Sequence, residues 1–160
     1  MHSANICRSL TTFEFVKFEK DILYIWVGGS CDYGHKERAG GGAYIAQIFK
    51  EDSRDGSCAT TIDTYTCAEF DTTEFKMIFK AMNHALEKFG FASNSNYEPV
   101  ATLPTTFSKI VFLSNVQYIL NFEKPNNVEV KILPYHKFDQ QKEVHEMASN
   151  AMRELRKNPN

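Results

Sequence analysis

The chain has 160 residues, of which 42% are hydrophobic, 13% aromatic and 24% charged, and this composition excludes gross disorder and predicts one folded domain with its own core. Eighteen Lys and Arg residues against 20 Asp and Glu residues leave a net charge of -2. That balance excludes the overall basic excess typical of a dedicated nucleic-acid binder, so any nucleic-acid contact is expected to use a local patch.

The apolar runs of the sequence are short. Residues 22–27 and 110–113 fall well below the roughly 18 residues that cross a bilayer, and residues 1–10 lack the apolar stretch of a secretory signal. We therefore expect no membrane association and a cytoplasmic location. The four cysteines form no C-x-x-C pair, so we expect thiols rather than disulfides or a zinc site.

Three β-prone segments follow one another in the first half of the chain. The first ends at Gly28-Gly29, which we expect to stop the strand, and a polar, glycine-rich loop leads to the second. Asp55-Gly56 marks the turn before the third. The three predicted strands are residues 22–27, 43–49 and 60–67. Residues 12–19 also mix β-formers with charges and are a candidate additional strand.

A helical period begins near Asp71. Apolar side chains recur at spacings of three and four, which places them on one stripe of a helix. They are Phe75, Ile78, Phe79, Met82, Leu86 and Phe89. Asp71 or Thr72 is expected to cap the start of this helix, and Gly90 to end it. Residues 91–108 are polar, contain two prolines and predict a long variable loop.

The second half of the chain alternates strands and helices. Residues 110–113 predict a short buried strand, and Ser114 followed by Gln117 predicts a capping box that opens a short helix. Residues 128–133 predict a fifth strand, and a last helix starts near Asp139. This order implies an α/β fold: a mixed five-stranded sheet, with three antiparallel strands and then parallel crossovers, flanked by helices.

Four short motifs occur in order on these elements. A Gly-Gly-Ser-Cys turn follows the first strand, and an Ala-Leu pair stands seven residues after Ile78. Ser-Asn-Val-Gln-Tyr follows the fourth strand, and the last helix contains His-Glu-Met-Ala. Together with His136 after the fifth strand, these motifs resemble the ribonuclease H family. The resemblance implies a ribonuclease H-like domain over residues 22–157, with an insertion near 91–108 and an N-terminal extension, residues 1–21.

The acidic positions of that family are mostly neutral here. The resemblance places Gly28, Ile78 and Asn115 where the family holds three of its metal-binding carboxylates. For the fourth position, the last-helix motif aligns His145, whereas the spacing from the loop histidine aligns Glu146. At most one inherited acid therefore remains.

The loss of these acids decides the predicted function. Two divalent cations about 3.5–4 Å apart need carboxylates that hold and neutralise them. We therefore predict a catalytically inactive ribonuclease H-like domain, a pseudoenzyme without metal or other cofactor, that serves as a binding or scaffolding module. The alternative is an atypical nuclease that cleaves RNA in RNA–DNA hybrids, with Mg or Mn held by relocated acids from Asp32, Glu74 and Glu146. A competing interpretation is that Glu74 merely stabilises the positive N-terminus of its helix.

The resemblance also implies a binding surface at the glycine-rich turn and the start of the first helix. The candidate binding residues are Ser30, Cys31, Lys36, Arg38, Thr73 and Lys76. An ordinary solvated face is the competing interpretation of the basic side chains. Because the net charge is slightly negative and Glu74 would repel phosphate, we expect a protein partner or homo-oligomer, with only weak binding of RNA–DNA hybrid or double-stranded RNA.

Phe13, Phe15, Val16 and Phe18 lie before the region of resemblance. They are either an interface or added edge strand, or they cover the domain's own core. The basic side chains that end the last helix, Arg156 among them, are expected to complement its C-terminus.

Overall fold

The computed structural model describes residues 16–90 and 107–158. In this part of the chain the strands are β1 (Ile22–Cys31), β2 (Ala39–Phe49), β3 (Ala59–Phe70), β4 (Lys109–Ser114) and β5 (Val128–Ile132). The helices are α1 (Glu74–Phe89), a short 3₁₀ helix (Gln117–Asn121) and α2 (Asp139–Lys157). The elements follow the order predicted from the sequence.

The strands form one mixed sheet in the order β3-β2-β1-β4-β5. β2 pairs antiparallel with both β1 and β3, whereas β4 pairs parallel with both β1 and β5. Three antiparallel strands are thus followed by parallel crossovers, and the predicted α/β class is confirmed.

Each face of the sheet is covered by one α-helix. Alternate residues of β1 point to opposite faces: Leu23, Ile25 and Val27 join α1 in one apolar core, while Tyr24 and Trp26 join α2 in the other. All five are buried. Burial on both faces explains why β1 is apolar throughout instead of alternating.

The glycines of β1 and β2 lie inside the strands, contrary to the prediction. Gly28-Gly29 does not stop β1, and residues 40–42 belong to β2 rather than to a loop. They are glycines because the helices lie very close to the sheet: a Cβ on Gly41 would overlap the carbonyl oxygen of Ala148 in α2. Glycine in these strands therefore marks close helix approach rather than a turn.

The N-terminal cap of α1 is Thr73, whose side-chain oxygen accepts the backbone N–H of Lys76 at 3.2 Å. The prediction of Asp71 or Thr72 as the cap is therefore wrong by one or two residues. The predicted end is confirmed, because Gly90 takes the left-handed conformation (φ 78°) that few other residues adopt easily.

The predicted capping box after β4 is wrong. Ser114 is the buried last residue of β4, and its hydroxyl accepts the backbone N–H of Val116 at 3.1 Å. Val116 precedes the helix without a side-chain cap, and the helix is 3₁₀ rather than α. The hydroxyl of Ser114 thus stabilises the turn at the end of the strand.

Val16 and Phe18 are buried in the core under α2. Phe18 packs edge-on against Tyr24, with ring centroids 5.0 Å apart. Of the two interpretations of this aromatic segment, covering the domain's own core is correct for these two residues. Phe13 and Phe15 lie outside the described residues.

The predicted loop over residues 91–108 also lies outside the described residues, except for Phe107 and Ser108. The backbone N–H of Ser108 donates to the carbonyl of Asp21 at 2.9 Å, next to the start of β1. None of the described helices is long and apolar enough to cross a membrane.

Candidate functional site

A small cleft lies at the end of the sheet where the parallel pairing of β1 with β4 stops. Its volume is about 250 Å³, and it is lined by Gly28, Gly29, Glu74, Asn115, Val116, Tyr135 and His145. Because Trp26 of β1 pairs with Leu113 of β4, Gly28 and Asn115 follow side by side. The carboxyl ends of parallel strands are the usual place for sites in α/β folds.

Three positions that the resemblance assigns to catalytic acids meet at this cleft. They are Gly28, Asn115 and His145. Ile78, at the remaining position, is fully buried, and a Cβ on Gly29 would lie only 2.7 Å from Ile78 Cγ1. Ile78 therefore packs against the backbone of β1 next to the cleft. None of the four positions that the resemblance assigns to catalytic acids carries a carboxylate in this alignment.

His145, not Glu146, lines the cleft. Neighbouring residues of a helix point about 100° apart, and Glu146 is exposed to solvent. The imidazole of His145 lies edge-on to the ring of Tyr135, with centroids 5.9 Å apart. Of the two alignments of the last helix, one places His145 at the acid position and the other places Glu146 there. Only His145 lines the cleft.

Helix α2 packs directly against Gly28, the first position that the resemblance assigns to a catalytic acid. A Cβ on Gly28 would lie 3.1 Å from Val144 Cγ1, 3.2 Å from the backbone N of His145 and 3.3 Å from His145 Cα. Two of these three atoms belong to the helix backbone, which moves only if the helix moves. A side chain at position 28 therefore requires Val144 and the adjacent backbone of α2 to give by a few tenths of an ångström.

Glu74 is the carboxylate that lines the cleft. The side chain is half-buried, and burial raises the pKa of Glu74, although the nearby His145 partly offsets the effect. The backbone N–H of Glu74 donates to the hydroxyl of Tyr33 at 3.1 Å, which fixes the first turn of α1 against the β1–β2 loop. Both interpretations of Glu74 remain compatible with this position, because it starts a helix and also faces the cleft.

The residues of the cleft do not fit the pair of divalent cations that the resemblance implies. Hard cations require several anionic oxygens, and the lining offers one carboxylate, the neutral amide of Asn115 and the imidazole of His145. Within residues 16–90 and 107–158, no three His, Cys, Asp or Glu side chains converge to hold a metal ion. The cleft can donate, accept and exchange protons through Glu74 and His145, but no metal-dependent step follows from it.

Asp32 is engaged away from the cleft. Its carboxylate accepts the backbone N–H of Ala39 at 2.6 Å and pairs with the guanidinium of Arg156 at 2.6 to 2.7 Å. Partial burial alone would raise the pKa of Asp32, but the bonds from Ala39 and Arg156 hold it below its usual value. Arg156 also donates to the carbonyl of Glu37. These contacts join the end of α2 to the β1–β2 loop, so Arg156 does more than complement the end of its helix.

Three candidate binding residues are occupied by contacts within the domain. Ser30 accepts a hydrogen bond from Ser149 at 3.1 Å, the thiol of Cys31 lies 3.7 Å from the carbonyl of Thr72, and Thr73 caps α1. These bonds fix the orientation of the three side chains, although each hydroxyl keeps further hydrogen-bonding capacity.

The basic candidates and the loop histidine lie on the surface. Lys36, Lys76 and His136 are exposed. The guanidinium of Arg38 stands over the ring of Tyr33, 5.7 Å from its centroid. None of the four lines the cleft.

Two features of this region were not predicted from the sequence. Tyr135 lines the cleft, but it belongs to none of the motifs described above. Its place shortly after β5, just beyond Pro134, is a usable signal, because that strand ends at the same edge of the sheet. Phe75 was predicted in the apolar stripe of α1, yet it is 37% exposed and stacks on the exposed ring of Tyr118, with centroids 4.2 Å apart.

Comparison with known proteins supports the fold. No family model matches the sequence, and no curated protein matches it. Solved structures do match. LC9-RNase H1, a type 1 RNase H with the type 2 active-site motif, gives a TM-score of 0.57 at 14% identity, over 86% of this chain and 74% of that one.

Two further structures agree. LC11-RNase H1 in complex with an RNA/DNA hybrid gives a TM-score of 0.54 at 13% identity, over 83% of this chain and 98% of that one. The foamy viral protease–reverse transcriptase in complex with dsDNA gives 0.53 at 11% identity, over 87% of this chain and 95% of that one. Sequence identities this low indicate a shared architecture and do not indicate a shared activity. The chain has a ribonuclease H-like fold, as its motifs indicate.

Proposed function

We propose that the protein is a catalytically inactive ribonuclease H-like domain that works as a binding or scaffolding module. The observation that carries this proposal is the composition of the cleft: Gly28, Asn115 and His145 stand at inherited acid positions, and α2 packs against Gly28. A phosphodiester is cleaved in a two-metal site by cations that stabilise the attacking and leaving oxygens. Without several carboxylates those cations are not held.

The position of α2 strengthens the argument beyond the loss of charge. A site that had lost its acids by substitution alone would leave room for their return. Here a Cβ at position 28 would press on Val144 and the backbone of His145 at 3.1 to 3.3 Å, and Ile78 is fully buried in the core. The packing that replaces the acids is part of what stabilises the domain.

Weak nucleic-acid binding follows from how the candidate binding residues are used. LC11-RNase H1 was solved with an RNA/DNA hybrid, but in this chain Ser30 and Thr73 are engaged within the domain. Glu74 adds a carboxylate next to them and would repel phosphate. The exposed Lys36 and Lys76 supply a modest attraction that salt screens. Protein partners, or other copies of the chain, are therefore favoured over nucleic acid.

The test is an RNA-cleavage assay. The purified chain is incubated with end-labelled RNA–DNA hybrid in magnesium and, separately, in manganese, with an active ribonuclease H as the positive control. We expect no cleavage above the buffer blank in either metal. Fluorescence anisotropy with the same hybrid and with double-stranded RNA measures binding, for which we expect dissociation constants no tighter than about 10 µM at physiological salt.

Paired variants separate a relocated site from contamination. Glu74→Ala removes the carboxylate of the cleft, and Glu146→Ala removes an exposed carboxylate of α2 outside it. Cleavage that is lost in Glu74→Ala and kept in Glu146→Ala would establish the alternative, an atypical metal-dependent nuclease. Equal cleavage by all three chains would point to a contaminating enzyme.

A further inference from the structure

The two edges of the sheet differ in how they are protected against pairing with another strand. β5 forms one edge; it has five residues and carries Glu129 and Lys131. β3 forms the other edge; it has 12 residues and no Lys, Arg or Pro. Short length, charge and proline are the features that stop an edge from pairing. β5 is short and charged, whereas β3 is long and has no proline, and the two acids that it carries, Asp63 and Glu69, are paired with lysines of α1.

The two acidic side chains of β3 are both paired with lysines of α1. Asp63 forms an ion pair with Lys88 at 3.0 Å, and Glu69 forms one with Lys80 at 2.6 Å, so both acids are held over α1. The exposed side chains of the strand are threonines: Thr60, Thr61, Thr64 and Thr66. Threonine favours the extended conformation and forms hydrogen-bonded cross-strand pairs.

One β-bulge interrupts the pairing of β3 with β2, near the N-terminal end of β3. The pairing of β3 with β2 shifts register between Ala46 and Gln47, opposite residues 61–63 of β3. Beyond this bulge, residues 63–70 pair with β2 without interruption. In the part of the chain that the structure describes, β3 pairs on one side only. Residues 63–70 are therefore a regular ladder that can accept a further strand.

We infer that the outer edge of β3 is a homodimer interface, at which β3 of a second copy pairs antiparallel and extends the sheet across a two-fold axis. The axis passes through Tyr65. In this register Thr64 of each copy stands opposite Thr66 of the other, and Asp63 stands opposite Cys67. No two acids face each other, as they would with the axis at Thr66, where Asp63 meets Glu69.

The occupant is a second copy because the strand is complementary to itself. An antiparallel two-fold pair satisfies the backbone groups of both edges at once, and the threonine pairs occur twice by symmetry. A strand pair alone buries less than the roughly 1,200 Å² of a stable interface. The dimer is therefore expected to dissociate on dilution into the low micromolar range.

The experiment measures the molar mass of the full chain by light scattering or sedimentation, from about 1 to about 300 µM. We expect the mass to rise from the monomer value to twice that value. Thr66→Lys puts a charge at the centre of the interface and is expected to weaken dimerisation at least tenfold. Asn126→Lys adds the same charge to the exposed turn before β5, at the opposite edge, and is the matched control, which should dimerise as the unmodified chain does.

Circular dichroism of each variant checks that it is folded, and Thr64→Lys replaces Thr66→Lys if the latter is not. A chain that stays monomeric up to the highest concentration overturns the inference, and so does a dimer that resists both threonine variants. Mixing Thr64→Cys and Thr66→Cys chains tests the register, since only the mixture should gain a new intermolecular disulfide. The inference does not rest on the cleft: hybrid cleavage would refute the proposed function and leave edge pairing intact.

Discussion

Substitution of Gly28 by Ala tests whether α2 blocks the first acid position. The added Cβ would lie 3.1 Å from Val144 Cγ1 and 3.2 Å from the backbone N of His145, closer than carbon normally approaches such atoms. Overpacking of this kind costs about 1–3 kcal/mol. Because alanine has less conformational freedom than glycine in the unfolded chain, the substitution also stabilises the folded state by about 0.4–1 kcal/mol. We therefore expect a net loss of about 1–2 kcal/mol in the free energy of unfolding.

Two other glycines bracket this value. Gly34 lies in the β1–β2 loop with no atom within 4 Å of an added Cβ, and its φ is not positive, so Gly34→Ala should be neutral or stabilise by up to about 1 kcal/mol. Gly41→Ala drives its Cβ into the carbonyl oxygen of Ala148 and should cost more than about 3 kcal/mol, because a backbone atom of α2 has to move.

Urea unfolding followed by the fluorescence of Trp26 measures all three variants. This residue is the chain's one tryptophan and is fully buried in the core beneath α2. In a domain of this size, 1 kcal/mol corresponds to about 2–4 °C in Tm, so a thermal melt of Gly28→Ala should show a drop of a few degrees. If Gly28→Ala were as stable as Gly34→Ala, position 28 would be open, and the argument that α2 packs tightly against Gly28 would fail.

Two further predictions concern charge. Asp32→Asn keeps an acceptor for the N–H of Ala39 but removes the ion pair with Arg156, and should lower the free energy of unfolding by about 1 kcal/mol at neutral pH. Because folding lowers the pKa of Asp32, this difference from the unmodified chain should disappear as the pH falls through the lowered pKa. Urea unfolding at a series of pH values measures the difference. Glu74→Gln should show the opposite pH dependence, because burial raises the pKa of Glu74. The unmodified chain should lose stability relative to the variant as the pH rises through the raised pKa. A stability difference that stays constant from acid to neutral pH would contradict the burial of this carboxyl group.

The order and type of the elements follow from local patterns in the sequence. The three- and four-residue spacing of apolar side chains in α1 and the β-prone run of β1 each report one element, because the period of buried residues is set by the geometry of that element alone. The glycine at the end of α1 is equally local. The neutral residues at positions 28, 78 and 115 are a property of the sequence itself, and they locate the cleft through their motifs.

Tertiary structure decided what depends on contacts between distant parts of the chain. The sequence offered Asp32, Glu74 and Glu146 as equivalent acids, but the guanidinium of Arg156, 124 positions away, holds Asp32 in an ion pair, and Glu146 faces solvent. Only Glu74 reaches the cleft. No local period carries this information, since the partner that engages a carboxylate is brought to it by the packing of α2 on the sheet.

The conformation of the glycines in β1 and β2 was also decided by packing between distant parts of the chain. In sequence, Gly28-Gly29 and residues 40–42 have the composition of turns, which predicts a loop. In the folded chain these residues continue β1 and β2 because the backbone of each helix lies where a Cβ would stand. Glycine is favoured both where a chain must bend and where another backbone must come close, and only the position of the helices distinguishes the two causes.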